Sequence, residues 1–598
     1  MSLRASRRSL FPMLLTFVVA FVLVVPLDPP LVGADVANPI CPVEVVHFNP
    51  ANGEDIVVPP GFKVSVFKAG LNAPTGIAFR GNARSFEVFV LESGHGLPSR
   101  CNEQDSWPGG TFAKTNPFTP DILVFDQDGK LLRGPLGKPT QAGGGFQAAG
   151  PAIDIAFERG LKGGRLFATD SNQAIRTPGA QNNSSRIVLV NPETGDVTPF
   201  IVGLPTGDHP AEQLAIKGDW IYWSQGSTTN SGVVGRDNGG GLNQPDIPCQ
   251  DIVLSNNLFD SGGGVKTSGY SLFGTDNRGK TIKAFTGALH HGVCDGAILR
   301  ARLDARNPDQ TIEPYSWGYR NPYGLRFAPK DHALQGNLFV TENGEDERGA
   351  RPTNNAPDRL QLAKQNPDGS PDFHGWPDRF GFLDSTQALF NPVGGPGDDL
   401  CVGANNPPSN CTSASLAAIL AANIPVKTVL AHPPQPVTAP LAIEPANVAI
   451  VGVDFVPKSF AQGVVNRGAA LAAREGDFGF SAGNGKPEEG HDVQLVNFSG
   501  PGEPLKLQLS VFARNSTFEQ AFPDGLRGIN RPTNLRFGPD SCAYLVDYGA
   551  VRDFGQSDPG TKFIVAADGP LVQIPGTGVI WKICGPPGNG EREDDDDD

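Results

Sequence analysis

A chain of 598 residues with 74 glycines, 55 prolines and only two methionines is too rich in turn formers to be a helical bundle or coiled coil. Its formal net charge of −15 argues against a basic face for nucleic acid. Short runs of Val, Ile, Leu and Phe recur along its whole length, which excludes wholesale disorder and leaves a large β-rich protein.

The first element in the chain is a leader. Arg4, Arg7 and Arg8 precede an apolar run over residues 10–27, and Val32-Gly33-Ala34 follows as a cleavage point. Residues 1–34 read as a secretory signal peptide. The run is long enough to raise an uncleaved anchor as the alternative, and Arg7-Arg8 also fits a twin-arginine signal. The expectation is export to the periplasm or the extracellular space, with no stable membrane span after cleavage. The eight cysteines, Cys41, Cys101, Cys249, Cys294, Cys401, Cys411, Cys542 and Cys584, all lie beyond the leader, and no C-x-x-C occurs. Disulfides are therefore expected. Cys401–Cys411 is the most local pair and Cys542–Cys584 could tie the chain end, but the pairing stays open.

Residues 35–590 read as one domain of repeated β units. Alternating apolar strands joined by glycine turns begin at Ala73, Gly150, His209, Arg320, Val448 and Asn530. Second hairpins follow from Asp121, Arg186 and His491, and Asp-Gly, Gly-Asp or Pro-Glu-Thr-Gly turns join such runs. Two hairpins per unit make a four-stranded blade, and six such units predict an all-β fold, a six-bladed β-propeller. GFKVSVFKAGL from Gly61 and GVIWKIC from Gly578 stand at opposite ends of the domain and would pair to close the ring. Long loop insertions at about 228–296 and 345–447 are expected over one face, where binding chemistry usually sits. Within the second, residues 412–423 have helical spacing. Residues 591–598, Glu-Arg-Glu and five aspartates, read as a solvated acidic tail, with calcium binding as the lesser alternative.

Innermost strands of a propeller converge on a channel, so their ends meet in space. His209, Arg320, Asn321, Asn343, Gly344, Glu345 and Arg531 stand at such ends, and Arg474 closes the second strand of the fifth unit. Arginine forks suit a planar polyanion, and a neutral imidazole supplies a base near pH 7. The groups lining the mouth are expected to be mainly arginines.

WGYRNPYGLRFAP from Trp317, LFVTENGEDERGARP from Leu338, DRLQLA from Asp358 and HGWPDRFG from His374 resemble the glucose/sorbosone dehydrogenase family. GDHPAEQLAIKGDWIYWSQG around His209 and NRPTNLRFGPD around Arg531 fit the same family in the same order, so the resemblance runs from about Gly61 to Cys584. It implies a pyrroloquinoline quinone- and Ca²⁺-dependent oxidoreductase acting on an aldose-type sugar and passing electrons to an external acceptor. It makes His209 the catalytic base and Arg320 the positive charge beside the quinone carbonyl that receives hydride. Asn321, Asn343, Arg474 and Arg531 become cofactor contacts, with Asn343 in place of the usual glutamine and Arg474 in place of a lysine. Gly344 and Glu345 become the backbone ligands of Ca²⁺. Three positions depart from the pattern: Ser227 stands for the aspartate that orients the histidine, Glu345 for a proline, and Thr533 for a second arginine.

Two other readings remain. A metal-dependent lactonase or hydrolase would need carboxylate and histidine ligands from several blades. A non-catalytic binding propeller is kept open by Ser227. Gly479–Gly483 satisfies G-x-S-x-G, but a loop follows it where a nucleophile elbow needs a helix. His290 and His291 are neighbours that would point to opposite faces of a strand. Glu342, Glu345, Asp346 and Glu347 could form a side-chain calcium site but read more simply as a solvated loop.

Overall fold

The computed structural model describes residues 33–37, 39, 45–94, 117–172, 184–235, 244–262, 264–285, 292–330, 332–345, 350–351, 356–379, 427–435, 437–446, 448–476, 490–499, 505–516, 527–553 and 571–585. The leader up to residue 32, Cys41, Cys101, Cys401, Cys411, His290-His291, Asp346, Glu347, residues 412–423, Gly479–Gly483 and the acidic tail lie outside them.

Six sheets form the blades of a propeller. Their innermost strands are Pro74–Asn82, Ile155–Phe157, Ala211–Lys217, Asn321–Phe327, Ile450–Phe455 and Pro532–Phe537. These are the six repeated segments of the sequence. Each packs beside the next around the axis, and the sixth packs beside the first. Alternating residues on each strand feed apolar clusters between neighbouring sheets, such as Phe89, Phe157, Leu166 and Val188 between blades 1 and 2.

The ring also closes through polar bonds. Innermost strands have one edge without a sheet partner, so some of their backbone groups need acceptors or donors from elsewhere. Neighbouring blades supply them all the way round. Thr75 Oγ1 donates to Ala152 O at 2.9 Å, and Leu214 N donates to Asp154 Oδ2 at 3.1 Å. Ser224 Oγ donates to Tyr323 O at 2.9 Å, and Thr341 Oγ1 to Val451 O at 2.5 Å. Arg536 Nη1 donates to Val453 O at 3.1 Å, and Asn534 Nδ2 to Thr75 O at 3.0 Å. Six blade junctions thus carry at least one side-chain bond each.

Blade 6 combines both ends of the domain. Pro532–Phe537, Ala543–Asp547 and Gly578–Cys584 are followed outward by Lys63–Leu71, which pairs antiparallel with Gly578–Cys584. The closing pair read from the sequence is therefore present. Cys542–Cys584 is a disulfide within this blade, and Cys249–Cys294, a pairing the sequence did not single out, is a second. Cys584→Ser removes the covalent tie on the closing strand. It should lower the unfolding free energy by about 2–4 kcal/mol, read as an earlier denaturant midpoint under non-reducing conditions.

The two insertions meet. The first leaves blade 3 between its second and third strands, Trp220–Gln225 and Ala297–Arg302. The second is shorter than the expected 345–447, because Pro357–Ala363 and Ala442–Ala446 are the third and fourth strands of blade 4; it leaves after Pro357–Ala363, at the end of the strand away from the channel mouth. It then climbs beside blade 3, where Asp372–Phe373 adds a fifth strand parallel to Glu313–Trp317. Leu254 bridges to Leu430, and Arg351 joins both segments, donating from Nη1 to Ser231 O at 3.1 Å and pairing through Nη2 with Asp378 at 2.6 Å. Among the described residues no helix is long and apolar enough to cross a membrane.

Candidate functional site

The channel mouth is assembled from the starts of innermost strands and the ends of the strands paired with them. Backbone bonds tie the two segments of blade 3 to each other there, and one of them reaches blade 4. His209 N donates to Ser227 O at 3.1 Å, Asp208 N to Thr228 O at 3.0 Å, and Ser227 N to Arg320 O at 2.9 Å. Gly226 permits this approach, because a Cβ on it would run into His209 Cβ.

These bonds bring His209, Arg320, Asn321 and Asn343 together. Asp208 Oδ2 lies 3.3 Å from His209 Nδ1 and 3.4 Å from Arg320 Nη2. One carboxylate oxygen therefore faces both the imidazole and a guanidinium that is only 5% exposed. Ser227, which resemblance sets in the place of an orienting aspartate, turns away: its Oγ donates to Thr229 O at 2.6 Å. The carboxylate behind the ring comes instead from the residue next to the histidine. The sequence shows it as Gly-Asp-His-Pro, a turn signal that could have drawn attention to Asp208.

Arg320 is fixed from below. Its backbone N–H donates at 2.9 Å to Oε1 of Glu342, a buried residue that also accepts from Arg359 Nη2 at 3.0 Å and from Gln361 Nε2. Asn321 and Asn343 are register partners at the top of blade 4. Asn343 Nδ2 donates to Ile450 O of blade 5 at 2.7 Å, and Asn343 Oδ1 lies 3.0 Å from one end of the Asn321 amide. That end also lies 3.3 Å from His209 Nε2, while the opposite end is 2.6 and 3.0 Å from the two oxygens of Glu212.

The expectation that arginines dominate the mouth needs correction. Asp208, Glu212 and Glu475 share it with Arg320 and Arg531. Burial holds Glu212 well above the usual carboxylate range; Arg320 opposes this, and Glu475 and Asp208 add to it. Burial likewise pushes Glu475 up to about 7, against the pull of Arg531. Sequence pattern missed Glu212, in Ala211–Lys217, and Glu475, just past Ala470–Arg474, because an acid in or beside a strand reads as solvent-facing unless its neighbours in space are known.

The remaining predicted residues have partners of their own. Arg531 is buried; its N–H donates to Asp547 Oδ1 at 2.7 Å and its Nη1 to Gly476 O at 3.1 Å. Arg474 is committed between blades 5 and 4: Nε and Nη2 donate to the two oxygens of Asp492 in its own blade at 2.7 and 2.5 Å, and Nη1 pairs at 3.2 Å with Glu444 on the outermost strand of blade 4, Ala442–Ala446. Thr533 Oγ1 donates to Pro74 O at 3.2 Å, so it joins the ring closure.

Gly344 N donates at 2.7 Å to Asp358 Oδ1, whose other oxygen accepts from Ile450 N at 3.2 Å. A Cβ on Gly344 would lie 2.7 and 3.0 Å from the carbonyl oxygens of Ala356 and Pro357. Beside it, both carboxylate oxygens of Glu345 are buried without a hydrogen-bond donor among the described residues, and Arg359 Nη2 lies 4.0 Å away. Burial pushes this carboxyl up to about 8. Among the described residues no three His, Cys, Asp or Glu side chains gather as a metal cluster. The oxygens near Gly344 and Glu345 are nevertheless of the hard kind that calcium takes, and an orphaned carboxylate there fits a cation.

No family model and no curated protein matches the sequence. Solved structures similar to it include the holo form of the PQQ domain of pyranose dehydrogenase from Coprinopsis cinerea. It is 16% identical, with 88% of this chain and 97% of that chain covered, at a TM-score of 0.44. A PQQ-bound aldose sugar dehydrogenase from Streptomyces coelicolor is 15% identical, covering 88% and 100%, at a TM-score of 0.40. A putative gluconolactonase is 11% identical, covering 88% and 94%, at a TM-score of 0.34.

Proposed function

We propose that the protein is an exported quinoprotein oxidoreductase that oxidises an aldose-type sugar at its anomeric carbon. The observation that carries this reading is the sharing of Asp208 Oδ2 between His209 Nδ1 and Arg320 Nη2. It holds a base and a positive charge side by side at the mouth of the channel. The sequence resemblance supports the same reading, and the two disulfides together with the basic, apolar leader support export.

His209 takes the anomeric hydroxyl proton at Nε2, because Asp208 occupies the side of Nδ1. Asp208 orients the ring and stabilises the imidazolium that forms. Arg320 and Arg531 would bind anionic and carbonyl groups of the cofactor through charge-assisted hydrogen bonds, whereas the Asn321 amide, expected as a further contact, is turned to Glu212, Asn343 and His209. Arg474 is left out of this set, since Asp492 and Glu444 already take its guanidinium. Gly344 and Glu345 would hold Ca²⁺. When bound, pyrroloquinoline quinone supplies the hydride acceptor and Ca²⁺ the Lewis acid that polarises it. An external acceptor then takes the electrons.

The test is to titrate the purified secreted protein with pyrroloquinoline quinone and Ca²⁺, and then to follow aldose-dependent dye reduction. Saturable binding with turnover is expected. Absence of cofactor binding would overturn the proposal, and binding without turnover would favour a non-catalytic propeller. Lactone hydrolysis without the quinone would favour a lactonase. Within the proposed reaction Asp208→Asn should lower kcat by about 10²-fold or more. Ser227→Ala should cost far less, because its hydroxyl does not serve the ring. Steady-state kinetics of the two variants, side by side, make the comparison.

A further inference from the structure

Four groups across three blades form a hydrogen-bond chain whose direction is set at one end. Ile450 O can only accept, so Asn343 must present its NH2 there, at 2.7 Å. Asn343 Oδ1 then faces Asn321 and can only accept, so the Asn321 end 3.0 Å away is its NH2. The opposite end of Asn321 is consequently its oxygen, and this oxygen lies 2.6 Å from Glu212 Oε2. Two acceptors at that distance need a proton between them. Turning Asn321 over would satisfy an ionised Glu212, but it would set the Asn321 oxygen against Asn343 Oδ1. Turning Asn343 as well would set its oxygen against Ile450 O at 2.7 Å.

We propose that Glu212 is a positioning residue for His209: as a neutral carboxylic acid it donates to Asn321 Oδ1, which aims the Asn321 NH2 at Asn343 Oδ1 and at His209 Nε2. A donor 3.3 Å from Nε2 favours the ring form with a lone pair on that nitrogen. The ring proton then sits on Nδ1, facing Asp208. Glu212 thus keeps His209 in the form a base requires. The charged and titratable groups facing Glu212 are Arg320 and Tyr323 from blade 4, Asp208 and His209 from blade 3, and Glu475 from blade 5. Arg320 alone among them favours ionisation, and burial outweighs it. The role given to His209 rests on the proposed reaction, whereas the direction of the hydrogen-bond chain does not.

The experiment uses the full secreted chain without sugar. Infrared difference spectra at pH 7 should show a protonated carboxylic acid band that Glu212→Gln removes. In protein labelled with ¹⁵N-histidine, the His209 signals are identified by their loss in His209→Gln among the nine histidines. Its Nε2 should appear as an unprotonated nitrogen. Glu212→Gln, whose amide still donates to Asn321, should keep that signature; Glu212→Leu, which cannot donate, should let the two ring nitrogens move toward averaged positions. A wild-type protein with no such acid band, or with a proton on Nε2, overturns the proposal even if the leucine variant does not fold. So does a folded Glu212→Leu protein with unchanged His209 signals. An acid band without sugar oxidation would sink the proposed function and leave the relay standing; turnover without the band would do the reverse.

Discussion

His209→Ala in the calcium- and quinone-loaded protein should abolish most sugar-dependent dye reduction, with kcat lower by about 10²–10⁴-fold, the usual range for removing a general base. The loss should fall on kcat rather than on cofactor affinity, because Arg320 and Arg531 remain. Stability should change little. The side chain is 21% exposed, and the bond that fixes this segment is made by its backbone N–H to Ser227 O. Stopped-flow reduction of the loaded enzyme, set beside a thermal melt, separates a lost base from a lost fold. A variant that keeps wild-type kcat would remove His209 from the mechanism.

Glu342→Ala should give the largest loss of stability, about 3–5 kcal/mol, the usual result of taking one partner from a buried ion pair. Glu342 is fully buried and accepts from the Arg320 backbone, the Arg359 guanidinium and the Gln361 amide. Alanine would take from Arg359, itself fully buried, the carboxylate that its Nη2 meets at 3.0 Å. It would also release the backbone that presents Arg320 to the mouth. Glu342→Gln keeps the shape and some of the bonds and should lose less. Equilibrium denaturation of the two variants provides the measurement, and an alanine variant within about 1 kcal/mol of wild type would contradict the argument.

Much of the fold is written locally. Each innermost strand alternates apolar and small residues and ends near a turn, so a period of two and a hairpin signal suffice to mark it. The same pattern in Lys63–Leu71 and Gly578–Cys584 indicates that the two ends of the domain can share a blade, and they do. His209, Arg320 and Asn321 stand at strand starts, and in a propeller the topology alone brings such positions to one mouth. The family resemblance adds their roles, but the pattern by itself says no more than that they can meet.

What the sequence leaves undecided depends on direction and pairing. It shows Arg474 and Arg531 as equivalent arginines at strand ends, yet Asp492 of blade 5 and Glu444 of blade 4 take the first while the second reaches Gly476. Ser227 reads as a lost carboxylate, yet Asp208 stands behind the histidine because the chain turns sharply there and Gly226 lets the two segments touch. Glu212 reads as an ordinary strand acid, yet Ile450 O, 238 positions later in the numbering, sets the direction of the hydrogen bonds that reach it. Periodicity is a local property, so the sequence by itself determined the six innermost strands and the closure of the ring. Which charge faces which, and which atom holds a proton, depends on contacts between blades and on burial in a low dielectric, and only the tertiary structure decided those.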